Sequence, residues 1–327
     1  MAVLVTGGAG YIGSHMVLNL ADAGEKVVVL DNLVTGFDWA VDGRAVFEGG
    51  NAGDIELVQR LIDKHGITEI VHFAGSIVVP ESVANPLKYY ANNTATSRNL
   101  IEAAVRGGVK HFIFSSTAAV YGMTGLAPVV ETTPLNPMSP YGRSKLMTEW
   151  MLADVAAAHP MTYGVLRYFN VAGADPQKRS GQSTPEATHL IKVACQAALG
   201  QREKMDIFGT DYETPDGTCI RDYIHVTDLI AAHALLLQHL RKGGESTTMN
   251  AAYNKGYSVR QVVDTVRAVS GVDFRADEGP RRPGDPASVT ATGEKLRGMG
   301  WVPEHDDLNE IVRHAYDWER YLLTRNR

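Results

Sequence analysis

Tyr141 and Lys145 carry the strongest catalytic signal in this sequence of 327 residues. Ser139 and Pro140, just before them, are typical of a helix N-cap and a first helical residue, so a helix is expected to begin at Tyr141. Four residues apart, the two side chains share one helical face. An ammonium beside a phenol favours the phenolate, so the tyrosine pKa is expected to fall from about 10 toward the range of a general base. Because this spacing also arises by chance, its meaning depends on the rest of the chain.

The beginning of the chain has the pattern of a dinucleotide-binding unit. Its parts follow in the order strand, glycine turn, helix, strand and acid: 2–6, Gly7–Gly13, 14–23, 27–30 and Asp31. Gly7, Gly10 and Gly13 permit a tight turn that brings backbone N–H groups close to a pyrophosphate at a helix N-terminus. A carboxylate at Asp31 accepts from a ribose 2′-hydroxyl and repels a 2′-phosphate, which favours NAD over NADP. A purely structural glycine turn is the alternative.

Thr117 is the third candidate for the chemistry, since it follows a predicted apolar strand at 111–115. Taken alone, Thr117 is better explained as a hydroxyl at a strand end that hydrogen-bonds to the backbone. Beside a phenolate and an ammonium, its donor and acceptors suit it to orient a substrate oxygen. With a nicotinamide, the three groups indicate alcohol–ketone redox chemistry, in which Tyr141 removes the hydroxyl proton while the adjacent carbon gives up a hydride.

The elements that position these residues alternate between strand and helix. Further apolar strands are predicted at 69–73, 111–115 and 163–167, and helices at 54–65, 85–106 and 141–158. This alternation predicts an α/β fold with a Rossmann-type, doubly wound parallel sheet, whose ligands bind at the carboxyl ends of the strands. Gly75, Thr117 and Asn170 fall at such ends.

The character of the chain changes after Asn170. A polar loop at 173–188 is followed by predicted helices at 190–199, 227–239, 258–269 and 308–323, and by a basic turn at 281–285. We therefore expect an NAD-binding domain at 1–172. A smaller C-terminal α/β domain at 173–327 should mainly bind substrate, with segments that return to the first domain.

Composition restricts the class of protein. The formal net charge of −6 argues against a nucleic-acid partner. The two cysteines, Cys195 and Cys219, have no CxxC spacing, so neither a disulfide framework nor a zinc site is expected, and no metal-binding cluster is apparent. Without a signal-peptide pattern, or an apolar run near the ~20 residues that span a bilayer, we expect a cytoplasmic enzyme that does not bind a membrane.

Three arginines have two possible roles. Arg221, Arg281 and Arg282 are either solvated surface charges or guanidinium groups that bind a pyrophosphate, a task for which arginine suits better than lysine. Arg221 stands in the compact run Cys-Ile-Arg-Asp-Tyr-Ile-His, which favours the binding role.

Taken together, these motifs resemble the extended short-chain dehydrogenase/reductase superfamily and, within it, the UDP-glucose 4-epimerases. The resemblance runs nearly from end to end. The matching segments are VTGGAGYIGSH (5–15), LDNL (30–33), HFAG (72–75), PESVANPLKYYANN (80–93), FSSTAAVYG (114–122), SPYGRSK (139–145), LRYFNVAG (166–173), IFGTDYETPDGTCIRDYIHV (207–226) and RRPGD (281–285). The last two segments are the most specific to sugar-nucleotide 4-epimerases.

The resemblance implies an enzyme-bound NAD that is reduced and reoxidised within one turnover, and a UDP-hexose substrate oxidised at its 4-hydroxyl. It further implies a homodimer formed through the helices around 86–106 and 141–158. The implied NAD contacts are Gly7, Gly10, Tyr11, Ile12, Gly13, Asp31, Asn32, Asn51, Ala52, Phe73, Ala74, Gly75, Asn92, Lys145 and Phe169. The implied substrate contacts are Thr117, Tyr141, Asn170, Leu190, Phe208, Arg221, Arg282 and Asp285.

Four positions depart from the family pattern. Ile77 stands where many members have Lys, and Asn51 where an Asp usually faces the adenine amino group, so a weaker hold on NAD is expected. His189 replaces an Asn beside the diphosphate. Val289 replaces a bulky Tyr of some members and leaves room at the sugar 2-position, from which we expect N-acetylated UDP-hexoses also to be accepted.

Other functions would require different residues near the catalytic groups. A nucleotide-sugar dehydratase needs an acid and a base after the active-site hydroxyl, where this chain has Ala118 and Ala119. A non-catalytic NAD-sensing protein typically loses the Tyr or the Lys, and both are present here. A UDP-glucuronate 4-epimerase or decarboxylase, or another NAD-dependent enzyme that modifies nucleotide sugars, remains open, because its distinguishing contacts go to a carboxylate at C6.

Overall fold

Strands occur along the whole length of the computed structural model, which describes residues 2–184, 187–282 and 285–325. In chain order they are β1 (Ala2–Thr6), β2 (Lys26–Asp31), β3 (Val46–Gly49), β4 (Ile67–His72), β5 (His111–Ser115), β6 (Thr162–Tyr168), β7 (Asn170–Ala172), β8 (Met205–Phe208), β9 (Ile220–Arg221), β10 (Tyr223–His225), β11 (Thr247–Ala251), β12 (Tyr257–Ser258), β13 (Ala276–Gly279) and β14 (Ser288–Val289).

The helices alternate with the strands. They are α1 (Tyr11–Asp22), α2 (Ile55–His65), α3 (Val79–Ala84), α4 (Pro86–Tyr89), α5 (Thr96–Arg106), α6 (Pro140–Ala158), α7 (Leu190–Ala198), α8 (Val226–Arg241), α9 (Val259–Ser270), α10 (Glu294–Gly298) and α11 (Leu308–Arg325). Between α4 and α5 the chain forms a π-helical segment, Tyr90–Ala95. None of the helices in the described ranges is both long and apolar enough to cross a membrane.

The chain divides into two compact units. Unit 1 consists of Met1–Gly122, Pro134–Arg167 and Ile230–Met249. Unit 2 consists of Met123–Thr133, Tyr168–Leu229 and Asn250–Arg327. The division is discontinuous in sequence, because a short segment before α6 belongs to unit 2 and most of α8 belongs to unit 1.

A seven-stranded sheet forms the centre of unit 1, with the strand order β11-β6-β5-β4-β1-β2-β3. Neighbouring strands from β6 to β3 run parallel. All five residues of β1 are buried, as expected of a strand that is covered on both faces. Leu4, Ile70 and Phe112 of the sheet belong to one apolar core with residues of α2 and α5. This arrangement confirms the predicted doubly wound α/β fold.

Three features of unit 1 differ from the pattern predicted from sequence. Strand β3 was not predicted, because as a sheet edge it is largely exposed and lacks a clear apolar alternation. Helix α1 begins at Tyr11 rather than Ser14, since Gly10 acts as its N-cap. The single helix predicted at 85–106 is divided into α4, the π-helical segment and α5.

Unit 2 combines helices with small sheets. Helices α7, α9 and α11 pack against one another, and the strands pair as β10-β7, β12-β9-β14 and β13-β8. The predicted helices at 190–199, 258–269 and 308–323 are present as α7, α9 and α11. Within the predicted loop and basic turn, Pro185, Glu186, Pro283 and Gly284 lie outside the described residues.

Candidate active site

The N-terminus of α6 positions Tyr141. The Ser139 hydroxyl accepts a hydrogen bond from the Gly142 N–H at 3.1 Å, and Pro140 is the first helical residue, so the predicted N-cap is present. An added Cβ at Gly142 would lie 2.6 Å from the Ala119 carbonyl oxygen. The first turn of α6 therefore packs directly on the backbone that follows Thr117.

Tyr141 and Thr117 are joined by a side-chain hydrogen bond. The Tyr141 side chain is buried and packs edge to face against Tyr89, with ring centroids 6.4 Å apart. Burial raises the pKa of Tyr141, and the hydrogen bond from Thr117 opposes that rise. The spacing to Lys145 predicted a lowered pKa for Tyr141, and that prediction is wrong for this structure. Loss of solvation outweighs the stabilisation of the phenolate.

Lys145 lies one helical turn further along α6 and is almost completely buried. Its ammonium donates to the Ser115 carbonyl at 3.0 Å and faces the ring of Phe114, 4.9 Å from the centroid. Burial lowers the pKa of Lys145 to about 8, against the charge of Glu149, which raises it. Near neutral pH, Lys145 thus remains largely charged. It lies close to Tyr141 in the chain and close to Thr117 in the fold.

The glycine turn between β1 and α1 has no room for side chains. A Cβ at Gly13 would lie 2.1 Å from the Gly7 carbonyl oxygen, and Gly7 itself has a φ of +71°. Gly10, the N-cap of α1, offers no side-chain cap, and the first turn, which begins with Tyr11 and Ile12, contains no acid. A helix N-terminus without a side-chain cap or an acid is suited to bind a pyrophosphate.

Asp31 ends β2 and has a fixed orientation. Its Oδ2 accepts from the Ala9 N–H at 3.0 Å and its Oδ1 from the Leu33 N–H at 2.8 Å. Because a carboxylate has about four acceptor sites, these two bonds leave capacity for a ribose hydroxyl. Together with the glycine turn, this donor and acceptor set fits a dinucleotide.

The segment after β4 lies close to Lys145. A Cβ at Gly75 would be 3.8 Å from Lys145 Nζ and 3.1 Å from Asn93 Oδ1. Asn93, in the π-helical segment, accepts from the Ser76 N–H at 2.8 Å and donates to the Ser144 hydroxyl of α6 at 3.0 Å. π-Helical turns often mark functional sites, and this one holds α6 and the segment after β4 together.

The other predicted cofactor residues of unit 1 occupy segments after strands, except Asn92, which lies in the π-helical segment. Asn32 is exposed, Ala52 is buried, and Phe73 and Ala74 follow β4 directly. The Asn51 side-chain oxygen already accepts from the Gly53 N–H at 2.8 Å. Asn92 donates to the Ser76 hydroxyl at 2.8 Å. Phe169 belongs to unit 2, where it separates β6 from β7.

Unit 2 contains the predicted substrate residues apart from Thr117 and Tyr141. The guanidinium of Arg221 forms an ion pair with Asp285, and that of Arg282 lies over the ring of Phe208, 4.0 Å from its centroid. Asn170 donates from its side chain to the Asp222 carbonyl at 3.2 Å. The structure thus brings four of these residues together in two pairs, and Asn170 lies in register with Tyr223.

Unit 2 also contains the implied substrate contact Leu190 and two departures from the family pattern, His189 and Val289. Leu190 is the first residue of α7, and His189 directly precedes it. Burial, and then the charge of Lys192, lower the pKa of His189, so its ring is neutral near pH 7. Val289 pairs with Arg221 across β14 and β9.

Sequence reasoning missed Glu149 and Arg167. Glu149 is buried on α6, four residues after Lys145, and pairs with Arg167 of β6 through a contact of 2.6 Å. The pattern Tyr-x-x-x-Lys-x-x-x-Glu places all three α6 side chains on one face, so the spacing alone was a usable signal.

Three histidines that are far apart in sequence form a cluster in unit 2. The ligand atoms of His225, His305 and His314 lie within 4.8 Å of one another, although the sequence suggested no such cluster. The Thr227 N–H donates to His225 Nδ1 at 3.1 Å, so the proton of that ring is on Nε2, 3.0 Å from His314 Nδ1. His305 Nδ1 lies 3.1 Å from a Glu310 carboxylate oxygen. These are two separate hydrogen-bonded contacts, and the His225 proton occupies the atom with which that ring would bind a metal.

The sequence and the fold both have well-characterised relatives. The UDP-glucose 4-epimerase of Azospirillum brasilense is 56% identical over 98% of this chain and 92% of its own length. The structure of UDP-glucose 4-epimerase from Brucella ovis in complex with NAD is similar with a TM-score of 0.94 and 41% identity, over 97% of each chain. The UDP-Glc/GlcNAc 4-epimerase of Campylobacter jejuni gives a TM-score of 0.86 and 46% identity, over 98% of this chain and 99% of that one.

A family description matches most of the chain as well. Residues 3–252 match the NAD dependent epimerase/dehydratase family. This match and the full-length relatives confirm the resemblance carried by the motifs. The chain belongs to the NAD dependent epimerase/dehydratase family.

Proposed function

We propose that this chain is a UDP-glucose 4-epimerase, which uses a bound NAD to interconvert UDP-glucose and UDP-galactose through a transient 4-keto sugar. The observation that carries the proposal is the grouping of Thr117, Tyr141 and Lys145 in the unit that contains the dinucleotide-type turn. The 56% identical relative from Azospirillum brasilense supports the choice of reaction.

The chain's own residues supply the proton chemistry. Tyr141 Oη accepts the proton of the sugar 4-hydroxyl and later returns a proton to the same oxygen. The Thr117 hydroxyl orients that oxygen and stabilises the phenolate by donating to it, and the Lys145 ammonium adds a favourable charge. When bound, NAD supplies reversible hydride transfer at C4. Because the sugar turns over between the two transfers, the configuration at C4 is inverted and no net oxidation occurs.

We assign the cofactor to residues of the first domain, 1–172. The glycine turn would hold the pyrophosphate, Asp31 the adenosine ribose, and Lys145 the nicotinamide ribose. The remaining cofactor contacts are Tyr11, Ile12, Asn32, Asn51, Ala52, Phe73, Ala74, Gly75, Asn92 and Phe169. The exposed Ile77 brings no cation to this set, which is consistent with a looser hold on NAD.

We assign the UDP part of the substrate to the second domain, 173–327, with Asn170 just before it. Arg221 and Arg282 provide the positive charge for the diphosphate, since the neutral His189 does not. Phe208 and Leu190 offer apolar contact, and Asp285 can accept from a hydroxyl while it holds Arg221.

The test is to incubate the purified protein with UDP-galactose, adding no NAD, and to quantify UDP-glucose by chromatography. Equilibration of the two sugars is the expected result. Conversion only after NAD is supplied would keep the function and indicate a weak cofactor site around Ile77 and Asn51. Absence of conversion with NAD present would reject this substrate.

A catalytic role and a mere NAD-binding role are distinguished by Tyr141→Phe. Loss of the base should lower kcat by about 10²- to 10⁴-fold, while NAD content stays unchanged. In a non-catalytic NAD-sensing protein, the wild type and Tyr141→Phe would instead bind NAD and UDP-sugar equally well, and neither would show turnover.

The principal alternative is a UDP-glucuronate 4-epimerase. It shares Tyr141, Lys145 and Thr117 and differs in what it binds at C6. Parallel assays with UDP-glucuronate and UDP-galactose decide between them by kcat/KM. A dehydratase is disfavoured, because Ala118 and Ala119 bring neither acid nor base to the turn after Thr117.

We also propose that N-acetylated UDP-hexoses are substrates, as is suggested by Val289 and by the name of the Campylobacter jejuni relative. Val289 lies opposite Arg221 in the strand pair β14–β9. We expect its side chain, smaller than the Tyr of some members, to leave space at the sugar 2-position. Turnover of UDP-N-acetylgalactosamine should be measurable beside that of UDP-galactose. No detectable turnover of the N-acetylated sugar would reject the idea.

We propose that the enzyme is a homodimer. In unit 1, Leu87 and Trp150 are 76% and 57% exposed, and apolar surface on helices can form an interface between proteins. A cavity of about 440 Å³ lies between α5 and α6 and is lined by residues that include Ile101, Met151 and Val155. A second copy of the same surface would cover both features.

We further propose a cytoplasmic location. Cys195 and Cys219 are both buried and free rather than joined in a disulfide, which is consistent with a reducing compartment. Fractionation of the native host, with the protein detected by antibody, would test this.

A further inference from the structure

A buried ion pair lies behind the catalytic lysine in unit 1. Glu149 is one helical turn beyond Lys145 on α6, and its partner, Arg167, belongs to β6. Each side chain is only 6% exposed. Arg167 Nε lies 3.1 and 3.2 Å from the two carboxylate oxygens, and its Nη2 lies 2.6 Å from one of them. This is a bidentate pair removed from water.

The same carboxylate holds the strand end that carries Thr117. The Ser116 hydroxyl donates to Glu149 Oε1 at 2.5 Å. Ser116 stands between Thr117 and Ser115, whose carbonyl accepts from the Lys145 ammonium. Glu149 therefore fixes the short segment 115–117 against α6 at the place where the catalytic groups of both elements meet.

Arg167 extends the network to the turn after Thr117. Its Nη1 donates to the Tyr121 hydroxyl at 3.1 Å, and its guanidinium faces the Tyr121 ring, 5.1 Å from the centroid. The Glu149–Arg167 pair thus contacts the chain on both sides of Thr117, at Ser116 and at Tyr121.

We propose that Glu149 is a positioning residue, which acts through Ser116 and Lys145 to keep Thr117, Tyr141 and Lys145 in their working arrangement. This inference rests on the proposed function, in which those three residues do the chemistry. It assigns a role in the reaction to a side chain that does not itself touch the reacting atoms.

Charge balance gives the proposal a measurable consequence. Burial lowers the pKa of Lys145, and Glu149 is the carboxylate that opposes this effect. The nearby His72 of β4 stays neutral, because burial and the charge of Lys145 lower its pKa to about 3. Tyr141 is neutral at rest and the charge of Arg167 is balanced by Glu149. Removal of this carboxylate therefore leaves the ammonium with the Ser115 carbonyl and the Phe114 ring but without the negative charge that favours it. Tyr163, which also faces Glu149, has a raised pKa and stays neutral.

The first test is Glu149→Gln, with the pH dependence of kcat/KM as the readout. Activity requires the ammonium, so the Lys145 pKa sets one limb of the profile. Loss of the carboxylate, together with the unbalanced charge of Arg167, disfavours the ammonium, so this limb should move to lower pH by about one pH unit. A folded Glu149→Gln protein with the wild-type limb would overturn the proposal.

Unit 2 offers a matched control in the Lys192–Glu319 pair, whose side chains are 5% and 4% exposed. Glu319→Gln removes one partner of a comparably buried pair and should also lower the melting temperature. The limb that the Lys145 pKa sets should coincide with that of the wild type. If both variants move the limb equally, the effect is one of general destabilisation, and the proposal is wrong.

A second variant addresses the possibility that Glu149→Gln does not fold. Ser116→Ala leaves the ion pair intact and removes only the hydroxyl that joins Glu149 to the segment of Thr117. We expect kcat to fall by about tenfold with little change in KM, because loss of a hydrogen bond to a charged group loosens Thr117. Wild-type kcat in Ser116→Ala would contradict the positioning role.

Titration of Lys145 separates this inference from the proposed function. With ¹³C-labelled lysine, the Lys145 signal is identified by its loss in Lys145→Met, and its pH dependence is followed by NMR without substrate. The midpoint should be lower in Glu149→Gln than in the wild type. An unchanged midpoint would overturn the inference even if turnover is found, whereas a lowered midpoint without turnover on any UDP-hexose would reject the function alone.

Discussion

Burial acts on both ionisable groups of the candidate site. It raises the pKa of Tyr141 and lowers that of Lys145 to about 8, since in each case the charged form loses solvation. The site counters this through the hydroxyl of Thr117, the carbonyl of Ser115 and the carboxylate of Glu149. Individual neighbours, rather than the Tyr–Lys spacing alone, therefore decide how easily the phenolate forms.

Thr117→Val should move the limb of the pH profile that the Tyr141 pKa sets. Tyr141 must be deprotonated to act as a base, so its pKa appears in the pH dependence of activity. Without the hydroxyl that lowers this pKa, the limb of kcat/KM should move to higher pH by about one pH unit, in addition to a lower maximum.

The control for this substitution is Thr148→Val, which removes another buried hydroxyl of the same region. The Thr148 hydroxyl donates to the Ser144 carbonyl at 3.2 Å within α6. Its loss should leave the limb set by the Tyr141 pKa in place. An unmoved limb in Thr117→Val would show that the hydroxyl does not tune Tyr141.

At the scale of elements, two helix N-termini carry the site. That of α1 is left without a side-chain cap, which suits an anion, whereas that of α6 is capped by Ser139 and holds Tyr141 in its first turn. One helix end is therefore prepared for a ligand and the other for a rigid side chain.

Gly13→Ala should weaken cofactor binding. The new Cβ would lie 2.1 Å from the Gly7 carbonyl oxygen, a backbone atom that can move only if the turn opens. We expect less NAD in the purified protein and a free energy of unfolding lower by about 1–3 kcal/mol. NAD released by denaturation and urea unfolding measure the two effects.

Gly43→Ala is the matched control, because nothing lies within 4 Å of a Cβ added there. It should keep wild-type NAD content and stability. Full NAD content in Gly13→Ala would mean that the turn does not hold the cofactor.

Ser139→Ala should lower both stability and activity. Loss of the cap on the Gly142 N–H should lower the free energy of unfolding by about 1 kcal/mol and decrease kcat by a few fold, because Tyr141 lies in the same turn. Urea unfolding and steady-state kinetics are the measurements.

Asp307→Ala provides the comparison, since the Asp307 carboxylate accepts from the Glu310 N–H at 2.9 Å at the start of α11. It should cost a similar free energy of unfolding without an effect on kcat. An equal loss of kcat in both variants would attribute the effect to stability and not to the position of Tyr141.

At the scale of the whole molecule, exposed apolar side chains are the unexplained feature of unit 1. Val83, Leu87 and Trp150 lie on α3, α4 and α6, and each is more than half exposed. Surfaces of this kind usually mark an interface between proteins.

Trp150→Glu should convert the proposed dimer to a monomer. A carboxylate buried at an apolar interface is costly, so light scattering should give the mass of one chain instead of two. Val302→Glu, which changes an apolar residue of unit 2 that is 75% exposed, should remain a dimer. A wild-type protein with the mass of one chain would reject the dimer outright.

The sequence by itself determined the parts of this protein that depend on neighbours in the chain. Apolar runs predicted the parallel strands β1, β2, β4, β5 and β6, and cap residues such as Ser139 and Ser258 predicted where helices begin, because such signals act within a few residues. The glycine turn, Asp31 and the Tyr141–Lys145 pair were readable for the same reason.

Only the tertiary structure decided what depends on residues far apart in sequence. The pairing of Glu149 with Arg167, the ion pair of Arg221 with Asp285, the histidine cluster and the edge position of β3 all arise from contacts that no local pattern encodes. The opposite pKa changes of Tyr141 and Lys145 belong here too, because they follow from how deeply the surrounding fold buries each group.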